Sequence, residues 1–388
     1  MGVWIACVGL LAAACGSSAT SAGTSGGSGG SGSGSAASIS SQGVAQATAL
    51  VGKYLGDPAF VAPGPSINVA ALKGKSILSV PANSLVPFVA TVDGVMKGYA
   101  QDLGMKYTIY TNQQQLGQWV QGMNQAISTK ASAIDLLSGI PPDLLKAQVQ
   151  QAQAAGIPTV DTNERDPSQP TVPYVAAYAF APFNLAGQLM SAWAVEQTKG
   201  KADVLVVTSN EDTSSAAVQA GITQELRTVC GGCKESAVNV NPEDWAKSLQ
   251  TTVEGKLSAD PNINYILPVF DSMAQYIAPG IIAAGKSGKV HVASFNGTPS
   301  ILDMIRSGDI VTMDVGENTS DVAAAGLDQI MRIMLHQPVG KEQINVRVLD
   351  KSNVADAGVP AVSGKGYGDA FMTGYATTWG VSPSLLGG

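Results

Sequence analysis

Between Lys75 and Val160 the sequence repeats one phrase: a short apolar run, a turn, then a stretch whose apolar positions step by three and four. Ser76–Val80 is the first run, bounded by Lys75 and Pro81. Apolar on successive residues rather than on alternate ones, it predicts a strand buried on both faces. The turn-rich stretch Pro81–Phe88 follows, and Val89, Val92, Met96, Tyr99 and Leu103 then share one helical face. Lys106–Tyr110 and Ala133–Leu137 repeat the strand signal, with Leu116, Val120, Met123 and Ile127 marking the helix between them. Pro141-Pro142 opens a third helix, and Gly156–Val160 ends it and begins a fourth strand. Consecutive strand–helix units of this kind predict a parallel sheet with right-handed crossovers. Ligands of such sheets bind beyond the carboxyl ends of the strands. The loop Asn83–Phe88 is therefore the first place where a site is expected.

A polar stretch, Asp161–Pro173, interrupts the rhythm, which then begins again. Strands are expected at Tyr174–Ala177, Ala202–Thr208, Ala237–Val240, Tyr265–Val269, Val290–Ser294 and Ile310–Asp314. Helices lie between them, at Ala181–Gln197 and Ser214–Val229 among others, with a further helix at Asp321–Leu335 and a strand at Asn345–Leu349. The predicted fold class is α/β, with two doubly wound parallel-sheet lobes. A chain of 388 residues with 45% apolar content is long enough for both. Its net charge of -7, with 22 Lys+Arg, excludes the electrostatic footprint of a nucleic-acid binder.

The first residues are of a different character. Val3–Ala14 is continuously apolar and ends in Leu11-Ala12-Ala13-Ala14-Cys15-Gly16. This resembles the lipobox of bacterial lipoproteins, with two departures: Ala12 stands where Leu is usual, and no Lys or Arg precedes the apolar run. The resemblance implies a signal peptide at 1–14, which carries Cys7 away, and lipidation of Cys15. Ser17–Ser41 is almost entirely Gly, Ser, Ala and Thr, a composition that buries no core, so 15–43 is expected to be an anchor followed by a flexible tether. A short helix is expected near Val44–Leu55. Within the tether, Gly26–Gly30 spells a hydrolase elbow and Gly27–Gly32 a dinucleotide loop, but neither lies between a strand and a helix.

Val80–Gly104, Ala133–Asn163, Phe270-Asp271-Ser272-Met273 and Ser294–Pro299 together resemble the type I periplasmic binding proteins, in particular the ribose-like sugar-binding branch that serves ABC importers. The resemblance covers Lys75–Leu349. It implies two lobes, 75–165 with 317–344 and 174–316 with 345–388, joined by several crossings of the chain and closing on a small molecule by hinge motion. It further implies an ABC permease in the membrane as partner, a monomer, no cofactor and no catalytic residue. Carried over position by position, Phe88 matches the aromatic that stacks on a sugar face. Asn163-Glu164 replaces the usual Asp-Arg pair, and Ala216 stands at the position of an Arg. Phe270 replaces the Asn of an Asn-Asp pair whose Asp271 is kept. Asn296 replaces an Asp, and Glu317 falls near a Gln. The expected ligand-binding residues are thus Phe88, Asn163, Tyr178, Phe270, Asp271, Asn296 and Glu317, with Phe180 and Phe183 either in the pocket or packing at the hinge. A site with fewer bidentate polar groups and more rings suits a ligand flatter or less hydroxylated than ribose, since each unmatched buried hydroxyl costs about 1 to 3 kcal/mol.

Cys230-Gly231-Gly232-Cys233 falls at the end of a predicted helix. Zinc wants four ligands, and neither His291 nor His336 is near in sequence; a redox pair would sit at a helix N-terminus. A structural disulfide is the expectation outside the cytoplasm. With two His in the chain and no Gly-rich phosphate loop after the tether, the sequence offers little to an enzyme and no metal site.

Overall fold

The computed structural model describes residues 33–308, 310–342 and 344–386 and resolves the repeated phrase into two sheets. Cys15 and the signal-peptide segment lie outside the described residues. Helix α1 (Ser33–Gly52) begins well upstream of Val44, inside the stretch read as tether, and its Ala47 and Val51 are buried. Then come β1 (Ser76–Pro81), α2 (Pro87–Asp102), β2 (Lys106–Ile109), α3 (Leu116–Ser128), β3 (Ala133–Leu137), α4 (Lys146–Ala154), β4 (Thr159–Thr162) and β5 (Ala177–Ala179). The first sheet is all parallel, in the order β2-β1-β3-β4-β5. Ile77, Ala133 and Leu137 enter one apolar cluster while Leu78, Val80, Ile134 and Leu136 enter another on the opposite face. Both faces are therefore covered, which is why these strands read as unbroken apolar runs. Pro87 opens α2, where a missing N–H costs nothing and the fixed φ suits the helix.

The second sheet is built from α5 (Phe183–Gln197), β6 (Asp203–Thr208), α6 (Thr213–Val229), β7 (Lys234–Asn239), α7 (Trp245–Ala259), β8 (Tyr265–Pro268), α8 (Asp271–Ala283), β9 (His291–Asn296), α9 (Pro299–Ser307), β10 (Val311–Glu317), α10 (Thr319–Met334), β11 (Val346–Asp350) and α11 (Ala370–Trp379). Its order is β11-β10-β9-β8-β6-β7, with β11 antiparallel to β10 and the other pairings parallel. Strand β7 begins before the expected Ala237. It is an exposed edge strand with little apolar signal to mark its start. Cys230 and Cys233, at the end of α6, form a disulfide. Among the described residues no helix is long and apolar enough to cross a membrane.

Two segments, β5 and the end of the tail, fall differently from the expected lobe division. Ala177–Ala179 pairs with β4 and completes the first sheet, so the chain crosses to the second lobe after it and not before Tyr174. Helix α10, which follows the last parallel strand of the second sheet, packs on α2, β4 and β5 of the first lobe. The tail divides. Strand β11 stays with the second sheet, but α11 lies on α10, where Trp379 Nε1 donates to Asp328 at 2.8 Å and the Asp328–Arg332 ion pair is wholly buried. Tyr99 of α2 donates to the carbonyl of Leu386 at 2.8 Å. Residues 370–386 thus belong with the first lobe, drawn there by ring faces whose polar edges find partners on α10 and α2.

Candidate ligand site between the lobes

At the carboxyl ends of both sheets the lobes face each other across a narrow cleft with about 540 Å³ of free space, its open mouth included. The first lobe contributes Ala82, Asn83 and Val86 from the β1–α2 connection, Phe88 and Val89 from the first turn of α2, Gln114 after β2, Ser138 and Gly139 after β3, and Asn163 after β4. From the second come Phe183 at the start of α5, Asp212 and Ser214 at the start of α6, Trp245 at the start of α7, Phe270 and Ser272 after β8, and Asn296 at the end of β9. The loop Asn83–Phe88 is held from behind. Trp119 Nε1 donates to the Ala82 carbonyl at 3.0 Å, and the Asn83 side chain accepts from the Leu85 amide at 2.9 Å.

The polar wall is strained. Gln114, Ser138, Asn163 and Asn296 have φ of 62°, 55°, 56° and 132°, a backbone region costly for side-chain-bearing residues and concentrated in proteins at functional sites. All four line the cleft.

At the floor, Glu317 joins the lobes. One of its carboxyl oxygens accepts from Asn163 Nδ2 at 3.1 Å and the other from Asn296 Nδ2 at 3.3 Å. Burial pushes its pKa up to about 8, against the downward pull of those two amides. Asp271 sits beside it without reaching the cleft: its oxygens accept from the Ser294 hydroxyl and the Thr298 amide, each at 2.6 Å, and its own amide donates to Asn296 Oδ1 at 3.4 Å. Asp314, whose pKa is pushed well up by burial and then by the neighbouring Asp271, accepts from the Gly297 amide at 2.8 Å. Tyr367, from the tail, closes this layer from beneath. A Cβ on Gly316 or on Gly297 would collide with its hydroxyl, so neither position has room for a side chain.

Of the residues singled out in the sequence, Phe88, Asn163, Phe270 and Asn296 meet at the cleft. Glu317 and Asp271 lie beneath it and orient the two asparagines and the β9–α9 turn. Tyr178 is elsewhere. It lies in β5, its hydroxyl hydrogen-bonded to the Val172 backbone and its ring stacked on Phe180 at 5.4 Å, within the first lobe's own apolar cluster. Its ring faces the apolar cluster on one side of the first sheet, whereas Phe183, just beyond the crossover, reaches the cleft. Phe180 is packing; Phe183 both lines the cleft and packs edge-on against Phe295. The start of α6 presents Asp212 and Ser214, whereas Ala216 is exposed.

Gln114, Ser138, Gly139, Trp245 and Ser272 were not singled out by sequence. Each follows a strand at the same sheet edge, so the topology rule marked their loops without choosing among the residues. Among the described residues no group of three or more His, Cys, Asp or Glu is placed to hold a metal ion.

The profile of the periplasmic binding protein domain family matches residues 77–338. Over 90 residues the chain is 37% identical to the D-allose-binding periplasmic protein of Escherichia coli, a match that covers 22% of this chain and 28% of that protein's length. An ABC transporter solute binding protein from Agrobacterium vitis, solved with bound allitol, superposes with a TM-score of 0.66 at 17% identity, over 74% of this chain and 98% of that one. An ABC transporter periplasmic solute binding protein from Actinobacillus succinogenes, solved with bound D-allose, does so with a TM-score of 0.64 at 18% identity, over 72% and 99%.

Proposed function

The chain belongs to the periplasmic binding protein domain family, and on that premise we propose that it is the extracytoplasmic substrate-binding component of an ABC importer, capturing a small sugar or polyol between its lobes. The observation that carries this reading is Glu317 hydrogen-bonded to Asn163 of one lobe and Asn296 of the other, directly below a cleft walled by residues of both. A molecule that touches Asn163 and Asn296 stabilises the closed arrangement over any open one, because only closure brings it both sets of contacts. Phe88, Phe183, Trp245 and Phe270 supply apolar ring faces, while Asn83, Gln114, Ser138, Ser214 and Ser272 supply hydroxyl and amide partners. Rings with a CH face and a hydroxylated edge match that division. The sugars and polyols held by the superposable proteins support the same class.

Lipidation of Cys15 and the Gly/Ser-rich segment after it would hold the domain to the outer face of the membrane within reach of a permease. Replacing Cys15 by Ala is expected to abolish labelling by a fatty-acid probe. Titrating the mature domain with allitol, D-allose and related sugars by thermal shift tests the ligand class, since a solute that binds only the native state raises its apparent stability. A rise of several degrees with at least one sugar or polyol is expected; no rise across the panel refutes the proposal.

A further inference from the structure

We infer that the solute taken by this cleft carries a basic amine, held between the carboxylates of Glu164 and Asp212. The inference rests on the proposed reading of the cleft as a sugar or polyol site and narrows it to the amino-deoxy members of that class.

Glu164 follows β4 in the first lobe and is 1% exposed, yet both of its carboxyl oxygens lack a hydrogen-bond partner. The Thr213 hydroxyl and the Gly139 amide point toward it and pull its pKa down, but neither reaches full hydrogen-bond geometry. Asp212 comes from the other lobe, at the start of α6. One of its oxygens accepts from Ser209 and the other from Gln114 across the cleft at 3.1 Å. The two carboxyls converge on Gly139 of the cleft wall, where a Cβ would lie 3.4 Å from Asp212 Oδ1 and 3.9 Å from Glu164 Oε2. A buried carboxylate with no donor is a strongly unfavourable group unless something supplies charge and hydrogens.

The protein supplies these only in part, through the charge of Arg165 and the Thr213 and Gly139 donors. Among the described residues no Lys, Arg or His lines the cleft. Arg165, the cation beside Glu164, turns to Asp161 and Asp143 and donates to the Pro170 carbonyl. The other ionisable groups around the pair are acidic: Asp161 next to Glu164, Glu211 next to Asp212, and Glu317 and Asp271 below the floor. Burial pushes Glu164 up to about 8 and Asp212 up to about 6, so near neutral pH the pair retains a proton. An ammonium offers three donors and a charge to two acceptors that approach it from opposite lobes, and it displaces that proton. The rings of Phe88, Phe183, Trp245 and Phe270 in the same cavity favour a cation further through their faces. A hydroxyl can donate once and brings no charge, leaving one carboxyl unmatched.

The test is calorimetric titration of the wild-type domain with matched probes: glucose, glucosamine and N-acetylglucosamine; galactose and galactosamine; sorbitol and 1-amino-1-deoxysorbitol. At least one amine is expected to bind about tenfold or more tightly than its hydroxyl parent at pH 7, as charge-assisted hydrogen bonds to two carboxylates imply. N-acetylation, which keeps the bulk and removes the charge, is expected to abolish that advantage. The advantage should shrink at pH 5.5, where the carboxyls hold their protons more fully. Glu164→Gln and Asp212→Asn are each expected to bring the amine-to-parent ratio close to one; melting temperature and circular dichroism check that each variant is folded, and either suffices. Parents that bind as tightly as their amines overturn the inference and leave the sugar reading standing. No binding by either series overturns both.

Discussion

Glu317→Gln separates the two things that Glu317 does. Wild-type Glu317 accepts from two asparagine amides, one in each lobe. The substitution leaves one accepting oxygen, so one buried amide loses its partner, at a cost of about 1 to 3 kcal/mol. It also removes a carboxyl whose pKa is raised from an ordinary 4.5 to about 8 by burial. A raised folded pKa means that the native state keeps its proton where the unfolded state has released it, so the native state loses stability as pH climbs from above 4.5 through 8. Integrated between pH 5 and pH 8, that loss is on the order of 3 kcal/mol, with a limiting slope of about 1.4 kcal/mol per pH unit. The variant should therefore be less stable than wild type near pH 5 and equal or more stable near pH 8, with a crossing between. Urea denaturation of ligand-free protein at half-unit steps of pH measures both curves. Asp135 at about 8 and Asp93 at about 6, which do not act on Glu317, tilt both proteins in the same direction and cancel in the difference. A stability difference that does not change with pH refutes the reasoning, since Glu317 would then be ionised throughout.

Phe88→Ala and Asn296→Ala are each expected to weaken solute binding by tenfold or more in calorimetric titration, the first by removing a ring face and the second a hydrogen-bond partner at a strained position; unchanged affinity in both would place the site elsewhere. Gly316→Ala should destabilise by about 1 to 3 kcal/mol through collision with the Tyr367 hydroxyl, and Tyr367→Phe in the same chain should recover part of that in a denaturant double-mutant cycle; additive effects would show that the hydroxyl is not the obstacle. Trp245 lines the cleft, so ligand binding should shift the tryptophan emission, and a Trp245→Phe variant should lose that change. Thiol titration of the folded protein should find Cys230 and Cys233 unreactive, and reduction should cost no more than about 2 kcal/mol, because the loop it opens is short.

The sheet strands were legible because burial on both faces leaves an unmistakable composition. Ser76–Val80, Ala133–Leu137 and Ala202–Thr208 could hardly be anything else, and each is a strand. Where burial is absent or partial the signal failed. Strand β7 lies at an edge with five of its six residues exposed, and its start was misplaced. Strand β5 is three residues long, and nothing in Ala177–Ala179 says which sheet it joins; that depends on β4 being free to pair on one side. The tail helix Ala370–Trp379 followed Gly-rich irregular sequence, and its attachment to α10 depends on Trp379 and Tyr375 meeting Asp328 and Glu342, a set of partners scattered along the chain.

The site divides along the same physical line. Positions at the ends of strands were readable because topology places every such loop on one edge, and Phe88, Asn163, Phe270 and Asn296 all sit there. What linear reasoning could not separate is a residue that touches the solute from one that holds such a residue in place. Asp271 and Glu317 are polar, buried and at strand ends, just as Asn163 and Asn296 are. They differ only in that their acceptors are already filled by Ser294, Thr298 and the two asparagine amides. Glu164 is the converse. It is equally buried and equally polar, but its acceptors are empty beside the cleft wall. Counting satisfied against unsatisfied acceptors, rather than polarity or position, distinguishes a supporting carboxylate from one that awaits a partner. By that criterion Glu164, with Asp212 opposite it, should set which solutes close the lobes, and substitutions there should change selectivity among sugars more than they change the stability of the fold.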